Sequence, residues 1–162
     1  MSEIENVGRQ LLQAYQQELN LVRALQENLK QQLQAIQAGA WGELDGLIAM
    51  TAAGRERLSR ARQDTRQLEG LLAMVSGSEG PDWEGTEILP STTCRELAGA
   101  ARQLRSCWEE CRELQEAALQ RVHQAVATAR GELEQIQTAR QMARVYRRKN
   151  RTALPRCLDR QL

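Results

Sequence analysis

The chain has 162 residues and a net charge of +1 from 22 basic and 21 acidic side chains; 41% of it is apolar, 27% charged and only 3% aromatic. That size suits one domain, and the shortage of aromatic residues and turn punctuation argues against a β-sandwich or an α/β enzyme. Gln, Leu, Ala, Arg and Glu dominate instead, the composition of long helices.

No run approaches the ~18 apolar residues of a membrane span. The chain begins polar and acidic (Ser2, Glu3, Glu5), without a basic-then-apolar leader. A cytoplasmic protein is expected. The charge is uneven: from Arg144 onward seven basic residues face Asp159 alone, a net +6, which leaves the rest of the chain at −5.

The first helix is predicted over residues 3–38. Ile4, Val7, Leu11, Tyr15, Leu19, Val22, Leu25, Leu29, Leu33 and Ile36 recur in steps of three and four, the mark of one buried helical stripe. Gly39 ends it, since glycine accepts the left-handed conformation that follows a helix C-cap.

The second helix is predicted over 43–75, on a seam through Leu44, Leu47, Thr51, Gly54, Leu58, Ala61, Thr65, Leu68, Leu72 and Val75. The middle of this seam is small, so it buries less area and should be the less stable part. Residues 76–92 read as a loop with several glycines, Pro81 and Pro90, four acidic residues and the apolar Trp83, Ile88 and Leu89. That is long for a bundle connection, and it could cross the bundle or simply turn.

The third helix is predicted over 93–146, with Thr93 as N-cap and Glu96 completing a capping box. Its stripe passes through Leu97, Leu104, Trp108, Cys111, Leu114, Val122, Leu133 and Ile136. At 1.5 Å per residue it spans roughly 75 Å, against roughly 50–55 Å for the other two. The fold class is therefore all-α: three long helices in an antiparallel, coiled-coil-like bundle over 1–146, followed by a basic mobile tail over 147–162. Beyond about Val126 the third helix either overhangs or bends at Gly131 and returns as a short fourth helix.

An overhanging stripe without an internal partner implies an external one. Val122, Val126, Leu133, Ile136, Met142 and Val145 are the candidate partner-binding residues.

Little else carries chemistry. His123 is the only histidine, so no site needing two can form, and a flank position on a helix is expected. Cys107 and Cys111, four apart beside Trp108, read either as half of a metal or disulfide site or as small thiols on the seam; no second closely spaced pair supplies the other half. Cys157 reads as an exposed thiol. No phosphate-binding glycine loop is present. No enzyme activity, small-molecule substrate, cofactor or metal is expected. The basic tail could touch phosphates, but no groove-reading motif accompanies it, so a nucleic-acid partner is not expected either.

The layout resembles the FlgN-type flagellar export chaperones and, more loosely, their FliT-type relatives. The residues carrying it are Leu33, Ile36, Gly39, Trp41, Leu44, Leu47 and the stretch Arg55 to Leu58. A long helix then runs through Leu114, Leu119 and Leu133 toward Tyr146. The resemblance covers about Gln10 to Tyr146. It implies an all-helical cytosolic chaperone of flagellar type III secretion that binds the C-terminal amphipathic helices of hook–filament junction proteins. Such a chaperone prevents premature assembly and hands its cargo to the export gate, without a cofactor. Tyr146 matches the tyrosine associated with gate docking, although Arg147, Arg148 and Lys149 follow it where small residues are usual. The seams leave the oligomeric state open, a weak homodimer included, since steps of three and four serve two to four helices equally well. The competing reading is a structural coiled coil that self-associates through the same stripes with no export role.

Overall fold

The computed structural model describes residues 3–77 and 89–152. Among them the chain forms three α-helices and no strand: α1 (Glu3–Ala38), α2 (Trp41–Ser76) and α3 (Ser91–Thr152). The described residues fall into two compact units, divided within α3 between Arg121 and Val122. The sequence suggests a single bundle over 1–146 instead.

The first unit is a three-helix bundle built around α1. The residues α1 buries most deeply include Leu11, Tyr15, Glu18, Val22, Leu25, Leu29, Gln32 and Ile36. These alternate in steps of four and three, a heptad seam. α1 closes with a left-handed Gly39 (φ 69°). The Gly39 amide donates to the Ile36 carbonyl at 3.2 Å and the Ala40 amide to the Ala35 carbonyl at 2.9 Å. This is a Schellman closure, and it satisfies carbonyls that the helix end would otherwise leave open. The turn is only Gly39–Ala40, so α2 begins at Trp41 rather than at 43.

α2 lies antiparallel to α1. Gln32, near the end of α1, donates through Nε2 to the Thr51 hydroxyl and to the Leu47 carbonyl, whereas Tyr15, nearer its start, donates through its hydroxyl to Glu69 at 2.7 Å. The residues α2 buries are Thr51, Leu58, Thr65 and Leu72, one every seven. Two of the four are threonines whose hydroxyls reach back to the carbonyls of Leu47 and Ala61. Such bonds satisfy the hydroxyl but leave only a methyl for the core. α2 is thus held by the thinner seam, and it ends at a second left-handed glycine, Gly77.

α3 starts two residues earlier than the expected Thr93 cap. Its first helical carbonyl is that of Pro90, which accepts the Cys94 amide at 3.1 Å. Thr93 therefore sits inside the first turn. Proline's fixed φ suits a helix start, and the buried Leu89 just before it anchors the entry. Leu89 packs in one core cluster with Leu11, Tyr15, Leu72, Cys94 and Leu97. Hence α2 leaves and α3 enters at the same end of the bundle.

From there α3 runs parallel to α1. Gly8 faces Leu89 and Thr93, a Cβ on it meeting Leu89 Cδ2 at 2.9 Å, while the Cys111 thiol reaches the Val22 carbonyl at 3.8 Å. A second cluster gathers Val22, Leu25, Leu29, Leu58 and Cys111. Trp83 and Ile88 of the expected loop, and residues 153–162 of the expected tail, lie outside the described residues.

The second unit is the remainder of α3. It stays helical through Gly131 and on to Thr152. No fourth helix forms among the described residues, and Arg147, Arg148 and Lys149 continue the helix rather than start a tail. Arginine and lysine are good helix formers, and they sit favourably at a helix C-terminal end.

A candidate partner-binding face on α3

In the second unit every described residue from Val126 to Lys149 is exposed, except Gly131, which is half-buried; Val122 is also half-buried. Val126, Leu133, Ile136, Met142, Val145 and Tyr146 are between 44% and 67% exposed, high for side chains of this kind.

The unbroken helix sorts these residues into two faces. At about 100° per residue, Val122, Val126, Leu133 and Ile136 fall within an arc of about 80°, with Ala129 between them. Met142, Val145 and Tyr146 fall on the opposite side, about half a turn away. The six expected partner-binding residues are therefore not one stripe: four are brought together and two are not. The signal was present in the spacing, because Ile136 to Met142 is a step of six, which no helical stripe contains.

Each face has its own character. Beyond Ile136 the first face continues through Arg140, Arg144 and Arg147, spaced four and three. None of these makes an ion pair with a described residue. The face thus changes along its length from apolar to basic. On the second face, Gly131 leaves a shallow depression bordered by Thr138 and Met142.

In the first unit, two features escape a reading of hydrophobic steps. Glu18 and Gln32 are buried seam residues. Treating Leu19 and Leu33 as the seam hides them, whereas a strict heptad from Leu11 finds both. Gln32 is satisfied by Asn28, Leu47 and Thr51. Glu18 lines a groove between α2 and α3, of about 790 Å³, whose lining also includes Trp108.

The described cysteines do not assemble a centre. Cys107 and Cys111 are free thiols, and no group of three or more His, Cys, Asp or Glu among the described residues could hold a metal ion. Cys157 lies outside the described residues, and His123 is exposed.

Burial raises the Cys111 thiol from 9.0 to about 11, with the neighbouring Cys107 and Glu110 adding to the effect and Lys30 opposing it. The folded state thus favours the protonated thiol. That contribution to stability is complete below pH 9 and is lost as pH rises through about 11. At pH 8 Cys111 should therefore be alkylated by iodoacetamide at least tenfold more slowly in the folded chain than in the chain unfolded by urea, because the thiolate is the reactive form. Mass spectrometry of the modified position reads the ratio, and equal rates would contradict the burial.

No described helix is long and apolar enough to cross a membrane. A family model described as FlgN protein matches residues 7–153, most of the chain and parts of both units. No curated protein and no solved structure matches it.

Proposed function

From the premise that the chain belongs to the FlgN family, whose members are flagellar export chaperones, we propose that it binds C-terminal amphipathic helices of hook–filament junction proteins. In this reading it works in the cytoplasm, keeps those helices from assembling prematurely, and delivers them to the export gate.

The observation that supports this is the exposed apolar stripe of α3 at Val122, Val126, Leu133 and Ile136. Full burial of such a side chain stabilises by about 1.5–3 kcal/mol. Because each of the last three is already about half covered, a partner helix recovers roughly 3–4 kcal/mol from them. Association itself costs roughly 4–15 kcal/mol. The stripe's own burial does not cover that cost, so the apolar face of the cargo helix, buried at the same time, and charged contacts beside it supply the rest. Arg140, Arg144 and Arg147 then favour a cargo helix with acidic residues beyond its apolar run. Met142 and Val145 belong with Tyr146 on the other face, which leaves that face for the gate.

Size-exclusion chromatography with light scattering, on the protein alone and co-expressed with a junction protein, tests the reading. A monomer or weak dimer that shifts to a stable 1:1 complex is the expected result. A constitutive tight oligomer indifferent to the cargo would overturn it in favour of a structural coiled coil.

The assignment of Tyr146 has a separate test. Tyr146→Ala should bind cargo as the parent does, because the side chain is about half a turn from the stripe. It should lose at least tenfold in affinity for the solubilised export gate, measured by biolayer interferometry. Unchanged gate binding would remove Tyr146 from that role.

A further inference from the structure

We propose that residues 139–149, in the C-terminal part of α3, lie along an anionic lipid surface, with Met142, Val145 and Tyr146 sunk among the headgroups and the arginines of the segment drawn toward the lipid phosphates. The proposal rests on this segment alone and goes beyond the docking of Tyr146 to the gate.

The sequence marks the segment off by charge. From residue 135 to residue 158 there is no acidic side chain, whereas seven basic ones occur, five of them between Arg140 and Lys149. No other acid-free stretch of the chain is as long, and the rest of the molecule is net acidic. Positive charge concentrated in this way on one segment is an electrostatic footprint for a negatively charged partner.

The helix sorts the segment into two sides. At about 100° per residue, Val145, Met142 and Tyr146 fall within an arc of about 100°, and Arg140, Arg144 and Arg147 within about 60° on the opposite side. The first three are 53%, 59% and 67% exposed. Ala139 and Ala143 widen one edge of the apolar side, and Lys149 closes it one turn after Val145. A helix divided in this way between apolar and basic residues lies in the plane of a membrane interface. None of the described helices is long and apolar enough to cross a membrane instead. Tyrosine suits headgroup level, since its ring is apolar and its hydroxyl polar. The stem of Lys149 can follow the apolar side while its ammonium reaches the phosphates.

Magnitudes decide why the lipid is anionic. Three half-exposed side chains bury too little area to hold a protein on a neutral bilayer, so charge has to supply the rest. A helix is about 10–12 Å across. With its apolar side sunk by about 5 Å, the arginines of the opposite side stay within about 8 Å of the phosphates, which is the Debye length at physiological ionic strength. They are attracted to the surface without touching it.

A nucleic-acid strand fits these observations less well. Its phosphates would engage the arginine side and leave Met142 and Val145 in water. A lipid surface uses both sides of the helix at once.

Vesicles free of any gate protein test the lipid contact by itself. The full chain is mixed with vesicles of phosphatidylcholine, alone or with about 30% phosphatidylglycerol, and the bound fraction is read by flotation. Binding should be at least tenfold tighter to the phosphatidylglycerol vesicles and should fall as salt rises. Met142→Ser, Val145→Ser, which keeps Tyr146 and every charge, should lose at least tenfold. Arg144→Gln, Arg147→Gln should lose at least fivefold. Ile48→Ser, Met50→Ser removes two comparably exposed apolar side chains from α2 and should bind as the parent does. Circular dichroism should show each variant folded.

No binding, or equal binding to the two kinds of vesicle, would overturn the proposal. So would binding that survives Met142→Ser, Val145→Ser, because charge alone would then hold the chain. An equal loss in the α2 variant, indifference to the arginine substitutions, or a chain that ignores vesicles and binds labelled oligouridylate would do the same. The gate assignment of Tyr146 stands or falls separately, since no gate is present in these mixtures.

Discussion

Replacing Leu133 and Ile136 together by aspartate should weaken cargo-helix binding at least a hundredfold while leaving the melting temperature of the free protein essentially unchanged. The two side chains are 58% and 52% exposed and belong to neither core cluster. Changing them therefore removes little packing from the folded chain, and surface substitutions of this kind usually stay within about 0.5 kcal/mol. In a complex they would lie at the centre of the apolar stripe. The variant forfeits roughly 2–3 kcal/mol of burial there and forces two carboxylates against an apolar surface, a further penalty of at least comparable size. A hundredfold loss corresponds to about 2.7 kcal/mol, which these terms exceed.

Met142→Asp is the control that separates the two faces, because it is an equally exposed residue about half a turn away. Isothermal titration with a junction-protein C-terminal segment should find it unchanged. If Met142→Asp weakened binding as much as the double variant, the cargo would wrap the helix rather than lie on one face. If neither variant mattered, the stripe would not be the cargo site.

The parts of the fold legible in the sequence were those set by local spacing. α1 could be read because large residues mark its seam almost continuously, and Gly39 could be read because a left-handed helix exit demands glycine. The exposed face at Val126, Leu133 and Ile136 was legible for the same reason. Met142 and Val145 were misjoined to it because a list of apolar residues hides a step of six. The buried Glu18 and Gln32 were hidden by the habit of reading polar residues as solvent-facing.

The start of α3 at Ser91 was missed because a capping box is a local signal. It was overridden by Pro90 and by the tertiary anchoring of Leu89 in the core. The groove between α2 and α3 was not legible at all. Its walls are 32 to 60 residues apart in sequence, and its existence depends on α2 and α3 both packing on α1 rather than closing on each other.

That arrangement governs the other large expected effect. Leu97→Ala should destabilise the bundle by about 3–5 kcal/mol, and Leu58→Ala by no more than about 2–3 kcal/mol. Both leucines are buried, to 0% and 3% exposure, so a count of lost methyl groups alone predicts equal costs. The cavity decides the difference. Leu97 is enclosed in the cluster of Leu11, Tyr15, Leu72, Leu89 and Cys94, where truncation leaves a void that the close contact of Gly8 with Leu89 gives little freedom to collapse. Leu58 lines the groove, so the space left by its truncation opens to solvent and the cavity penalty falls away. Urea denaturation followed by circular dichroism at 222 nm measures both variants. A native domain is stable by only about 5–15 kcal/mol, so the Leu97 variant should show a sharply lowered midpoint. Equal shifts for the two leucines would mean that the groove beside Leu58 is closed in solution, so that truncation leaves an enclosed cavity there as well.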